Sequence, residues 1–432
     1  MGTVRTAWGV WGLAAGFYLV ALFHRMSLGV ASLDAQERFG LGAGDVATLS
    51  ALQLGLYLAM TIPAGLAADR IGPRRALALG LGLIAVGEVA FGLATQAPVA
   101  LGGRALVGVG DAFMFLSVLR IAQNWFPARR YALLATLTGM AGAIGQLGTT
   151  VPLGMALDGA GWTATFVSTG VLTAGLALLC LRTVRDRPAA AAAGAAAAAA
   201  RPGHAPVVAT LVGAWRRPGT RLAFWIHFAT MGPFVAITAL WGYPYLVTDQ
   251  GVAPATARIW LAVCIAAYGV SAPLLGMLVG RRPGVRRPLF PATAAAAVAA
   301  WLVTLTWPGG HAPAGLMLLT LVVTGIGASV SMLAFDVARE GNPASVGGSA
   351  TGLANCGGFS MAVVTQLVAG RLLDAGVAGS IGAALLPMVG LMALGLVMTL
   401  RLAPRAAAAA AARASQAAPL PAALRTEEPV AA

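Results

Sequence analysis

Five ionisable side chains sit inside apolar runs of this sequence: His24 and Arg25, Glu88, and Arg104 with Asp111. In a hydrocarbon layer each is costly unless it is paired or lines a watery cavity, so the set marks a polar pathway. Arg25 offers an always-charged planar fork suited to phosphate or carboxylate, and either a substrate anion or Asp111 must compensate it. His24 has no acid or second histidine beside it in sequence and serves either as a titrating contact or as packing. Arg104 and Asp111 share one helical stripe with Gly108. They lie about 10 Å apart along the axis, and Arg104 leans away towards the helix N-terminus, so each needs a partner on another helix. Asp111 is the first candidate for a coupling proton, with a permanent salt bridge as the alternative; Glu88 is the second, against an interhelical structural role. His227, with Trp225 and Trp241 on one stretch, and Gln146 and Asn355, within runs of small residues, are further candidate substrate contacts.

The elements that must hold these groups follow from composition. Of 432 residues, 59% are hydrophobic and 10% charged, and the mean hydropathy is +0.82, which leaves too little polar surface to cover a soluble globule. Apolar runs long enough to span a bilayer recur twelve times, at 8–32, 46–66, 76–96, 100–122, 131–157, 163–183, 220–247, 257–280, 289–306, 314–337, 349–372 and 381–402. Little more than Arg5 precedes the first run and no small-residue cleavage site follows it, so it is read as a retained span. The net charge of +14 comes wholly from arginine and concentrates in alternate loops, while Asp34, Glu37, Asp45, Asp158, Asp249 and Asp374 fall in the opposite ones. That asymmetry predicts both termini in the cytoplasm and makes the basic charge a topology signal, not a nucleic-acid footprint. Cys180, Cys264 and Cys356 have unrelated spacings and give no metal or disulfide framework. Without lysine, paired metal ligands or a nucleophile elbow, an enzyme is not expected, nor any cofactor.

The chain repeats itself. "GMALDGAG" from Gly154 and "GRLLDAG" from Gly370 lie 216 residues apart, and "GPRR" at Gly72 and "GVRR" at Gly284 lie 212 apart. Two six-helix halves, 1–184 and 220–402, joined by an Ala-rich linker at 185–219 and followed by a disordered tail at 403–432, account for both offsets.

"GLAADRIGPRR", after the second run, resembles the signature loop of the major facilitator superfamily: Gly65, Asp69, Arg70, Gly72, Arg74 and Arg75 match every position. The resemblance implies an all-α membrane protein of twelve helices in two pseudo-symmetric bundles. It also implies that this loop gates the cytoplasmic side, with Asp69 held against the N-terminus of span eleven and Arg70, Arg74 and Arg75 beside it. "RALVGVGDA" resembles the family's span-four motif at Arg104, Gly108, Gly110 and Ala112. "YLVALFHRMSLGVA" resembles its organophosphate and organic-anion branches, which carries an anion-contacting role onto Arg25. Span five lacks the Gly-Pro-x-x-Gly-Gly pattern of many drug/proton antiporters. The reading is a monomeric bacterial inner-membrane transporter working by alternating access, moving a small organic anion with protons, with proton-driven export of lipophilic compounds as the alternative.

Overall fold

In a bilayer the backbone must satisfy its own hydrogen bonds, and helices do so span by span. The computed structural model describes residues 2–127, 130–187, 207–343 and 346–417, and no strand occurs among them. Span one is Gly2–Val30, followed by a short helix, Ser32–Phe39. Span two is Ala43–Ile71, span three Pro73–Leu93, and span four Ala97–Asp111 continued by Met114–Trp125. Tyr131–Gly148 opens span five, and Val151–Thr183 completes it and contains span six. The second half comprises Pro218–Ala236 with its continuation to Asp249, then Pro254–Arg281, Arg286–Leu305, Ala314–Met332 with Ala334–Glu340, Gly347–Asp374 and Ile381–Ala417. These are spans seven to twelve.

Apolar length alone gives eleven crossings, because Leu133–Thr183 reads as one 51-residue stretch. At 1.5 Å per residue that is about 76 Å, more than twice a hydrocarbon core. Gly161 divides it: its φ of 78° is open to glycine and ends span five before span six begins. Twelve crossings result. Two boundaries differ from the sequence reading. The last helix continues to Ala417, where alanine propensity carries it past the expected end at 402, and a helix at Val207–Trp215 occupies part of the linker. The alanine run at 189–200 and residues 418–432 lie outside the described residues.

The two halves pack by the same rules. Span one lies on span five as seven lies on eleven, two on four as eight on ten, and three on six as nine on twelve. Small residues permit this closeness. A Cβ on Gly108 would strike the Gln53 backbone, and one on Gly325, its counterpart, the Cys264 backbone. Gly142, Gly145 and Gly148 turn one face of span five onto Tyr18, Leu19 and Phe23 of span one. Gly145→Val would drive a branched side chain into the Leu19 backbone. It is expected to cost about 1–3 kcal/mol, read as a lowered melting midpoint in detergent; an unchanged midpoint would contradict this packing.

Helical irregularity is confined to particular spans. Span four breaks at Ala112–Phe113, span five at Thr149–Thr150, span ten at Leu333, and span seven relaxes into π-helical turns at Ile237–Trp241 and Tyr245–Asp249. Such interruptions free backbone groups and re-aim side chains, and they gather where a site is built. Asp111 is the residue at the span-four break.

Candidate functional site

Arg25 projects from span one into the junction of the halves. Its Nε donates to Asp111 Oδ2 at 2.5 Å and its Nη2 to Asp111 Oδ1 at 2.9 Å, and both residues are buried. Asp111 thus takes the Nε side of the guanidinium, and the Tyr57 hydroxyl also hydrogen-bonds Arg25. The plane of that guanidinium lies over the Tyr57 ring, 4.2 Å from its centroid, with Phe359 of span eleven at 5.6 Å. Tyr57 and Phe359 are themselves in contact, at 4.9 Å between ring centroids, and Asn355 reaches the Tyr57 hydroxyl. Tyr18 and Tyr268 lie within electrostatic range of the same cation. Spans one, two, four, eight and eleven therefore converge on one charge, and two of those five belong to the second half.

A second polar cluster lies within the first half. His24 Nδ1 stands 3.2 Å from Glu88 Oε1, and its Nε2 is 2.8 Å from Thr173 Oγ1 of span six. Arg104, wholly buried, donates to the His24 carbonyl at 3.4 Å and to Ser27 Oγ at 3.2 Å, lies 3.8 Å from Glu88 Oε2, and covers the Phe91 ring at 5.0 Å. The acid that His24 lacks in sequence is supplied across the bundle by span three. Arg104 and Asp111 find different partners, as their separation on the helix requires. Arg104 looks inward to backbone and Glu88, not to the interface between halves.

The remaining candidates scatter. His227 is buried in the second half, with Nδ1 3.5 Å from the Ser331 carbonyl and its ring 5.1 Å from Phe335; it does not join the Arg25 group. Gln146 is buried on span five, beyond the Gly142–Gly145 face. Asn355 joins the site through Tyr57. Sequence reasoning passed over Tyr18, Tyr57, Tyr268, Phe359 and Thr173, because aromatics and threonines in apolar spans give no signal until their direction is known.

The arginine-rich loops lie at one end of the molecule. Gly72 turns the chain between spans two and three with φ 87°. Its neighbour Arg74 donates its backbone N–H to Asp186 Oδ1 at 2.7 Å, so the carboxylate at the start of the linker caps span three. Asn124 and Trp125 hold the Asp186 and Arg185 carbonyls from span four. Arg70 and Arg75 are exposed, and the side chain of Asp69 lies outside the described residues. In the second half Arg286, in the loop's repeat, makes a bidentate pair with Glu340 at the end of span ten. The first half places Asn124 at the corresponding end of span four and has no acid there.

The opposite, aspartate-rich end joins the halves. Asp374, ending span eleven, accepts from the Gly44 N–H at 3.1 Å, Arg258 of span eight pairs with Asp158, and Gly29 lies against the span-seven backbone at Thr238. Burial beside this rim raises the Asp34 carboxyl above the usual range, and Arg258 opposes the shift. The described polar contacts between the halves lie either here or around Arg25. Asp158→Ala combined with Asp374→Ala is expected to raise labelling of Thr238→Cys by a small polar maleimide severalfold; unchanged labelling would show that other contacts hold this end.

Twelve spans in two matched bundles, meeting at a buried ion pair wrapped in aromatics, give the architecture of a membrane solute carrier. The family profile for the Major Facilitator Superfamily matches residues 13–366, and the chain belongs to that family. It is 24% identical over 185 residues to the probable sulfoacetate transporter SauU of Cupriavidus necator, covering 43% of each chain. To the probable L-galactonate transporter of Escherichia coli K12 it is 27% identical over 169 residues, covering 39% of this chain and 37% of that one. These matches span less than half of either relative. Multidrug resistance protein Stp of Mycobacterium tuberculosis is 25% identical over 389 residues, 79% of this chain and 71% of Stp. Among solved structures, a bacterial homologue of the human lysosomal transporter Spinster, inward-facing and unoccupied, superposes with TM-score 0.69 at 17% identity, covering 96% of this chain and 99% of that one. As a member of that family it is a multi-pass membrane protein of a transporter family.

Proposed function

We propose that the protein takes up a small organic anion together with protons, and that Arg25 binds the anion. The observation that carries this reading is the edge-on pairing of Arg25 with Asp111. Asp111 neutralises and orients the guanidinium from its Nε side, and the N–H groups it does not take, which the Tyr57 hydroxyl also reaches, are those a second carboxylate, phosphate or sulfonate would engage. Tyr57, Asn355 and Tyr268 supply hydroxyl and amide groups on both sides of the junction, so a bound solute contacts both halves. The named substrates of the L-galactonate and sulfoacetate relatives are anions of this kind. Asp111 and Glu88 are the carboxylates available for proton coupling.

With the arginine-rich loops taken as cytoplasmic, both termini lie inside and the aspartate-rich end is the outer one. Asp158–Arg258 and Asp374–Gly44 then close the outer side. The Gly65–Arg75 loop, with Asp69, works at the inner side as the gate.

Export of lipophilic compounds is the second reading, favoured by the match to Stp over most of both chains. A melting-point panel on the purified protein separates them. A ligand at about a hundred times its Kd stabilises by about 2.7 kcal/mol. L-galactonate or sulfoacetate is expected to raise the midpoint and ethidium to leave it; the reverse would support export.

A further inference from the structure

Thr173 fixes the protonation of one nitrogen of His24. Its hydroxyl donates to the Thr169 carbonyl at 2.8 Å, so towards His24 it offers lone pairs only, and Nε2, 2.8 Å away, must carry a hydrogen. Nδ1 is then the atom that gains or loses a proton; it lies 3.2 Å from Glu88 Oε1, within ion-pair distance but not aligned as a hydrogen bond, and it and both Glu88 oxygens have no hydrogen-bond partner among the described residues. With one proton on that axis the pair is imidazolium and carboxylate, or imidazole and carboxylic acid, two forms that differ only in which atom holds the hydrogen. The charged groups facing the pair are Arg104, 3.8 Å from Glu88 Oε2 and donating to the His24 carbonyl, and, beyond it, Asp111 with its partner Arg25.

Charge counting connects this pair to the anion. With the axis unprotonated, Arg25 and Arg104 cancel Asp111 and Glu88, and the buried cluster is neutral. A monovalent anion on Arg25 leaves one negative charge in the protein interior, an expensive state. One proton on the His24–Glu88 axis restores neutrality. Because His24 and Arg25 are consecutive residues, both ligands load onto one turn of span one.

We propose that the His24–Glu88 pair is the proton site of the transport cycle, holding one proton that is taken up with the anion on Arg25. The charge balance rests on the anion reading above; the protonation of the pair does not.

The chain has four histidines, so protein labelled with 15N-histidine in detergent gives a simple imidazole spectrum in which His24→Gln identifies the His24 signals. Expected is a His24 Nδ1 that changes protonation between about pH 5 and 9 while Nε2 stays protonated. Glu88→Gln should move that transition by more than about one pH unit. A single protonation state across the range, or a transition that Glu88→Gln leaves in place, overturns the proposal. Should Glu88→Gln fold poorly, His24→Gln, whose amide can still donate to Thr173, carries the transport arm. In proteoliposomes it should lower the ratio of pH-gradient-driven uptake to counterflow of L-galactonate by at least about tenfold, and a ratio like the wild type's overturns the proposal. Uptake of the monovalent galactonate should be insensitive to an imposed membrane potential, whereas that of doubly charged sulfoacetate should respond; a galactonate response overturns the one-proton count. If the wild type moves neither anion, the anion reading fails, and the histidine titration still decides the proton site.

Discussion

Arg25→Ala is expected to abolish binding of L-galactonate to the purified protein, and Arg25→Lys to weaken it by at least about tenfold, or ~1.4 kcal/mol. An ammonium group can replace the charge but not the planar array of N–H donors that remains once Asp111 has taken the Nε side. Nor does it carry the guanidinium's delocalised face, whose Cζ lies over the Tyr57 ring at 4.2 Å. Titration calorimetry on monodisperse protein checks both variants. Since Arg25→Ala alone strands a buried carboxylate, the same measurement on Arg25→Ala/Asp111→Ala keeps the test clear of misfolding. Binding that survives in this double variant would remove Arg25 from the site.

The second large effect is on stability. Asp111→Ala leaves the Arg25 charge buried, with aromatic faces its nearest described support. Removing one partner of a buried pair costs about 3–5 kcal/mol. Arg25→Ala/Asp111→Ala discards both charges together and should recover most of that loss, giving a strongly non-additive cycle in detergent melting. Additive losses would mean that the two side chains do not depend on each other, contrary to their bidentate geometry. The cycle separates two roles of Asp111. Stability measures the pairing, while binding in the double variant measures the donors that the pairing leaves.

The architecture was legible in the sequence because hydropathy, arginine placement and the two repeat offsets are long-range signals, each carried by many residues. The span-four break was not legible: nothing in "VGVGDAFMF" announces that the ladder ends at Asp111, since the local dihedrals remain helical. The gating of Asp69 stays a proposal, as its side chain lies outside the described residues, and Asp186 capping span three was invisible because it arrives from more than a hundred residues away. The five ions stood out in the sequence by their burial cost, but their pairing was only half readable. Helix geometry excluded an Arg104–Asp111 pair. It could not show that Glu88 reaches His24, because that contact depends on how spans one and three are rotated about their axes. His227 illustrates the converse: a candidate substrate contact whose side chain packs against span ten instead.

The central claim is that anion and proton move together through this junction. Uptake of radiolabelled L-galactonate and sulfoacetate into proteoliposomes with an acidic exterior tests it most directly. The account predicts accumulation of at least one of them above equilibrium, its collapse on adding a protonophore, and its absence with Arg25→Ala/Asp111→Ala. Accumulation that ignores the pH gradient, or proton-driven extrusion of ethidium with no uptake of either anion, would contradict it.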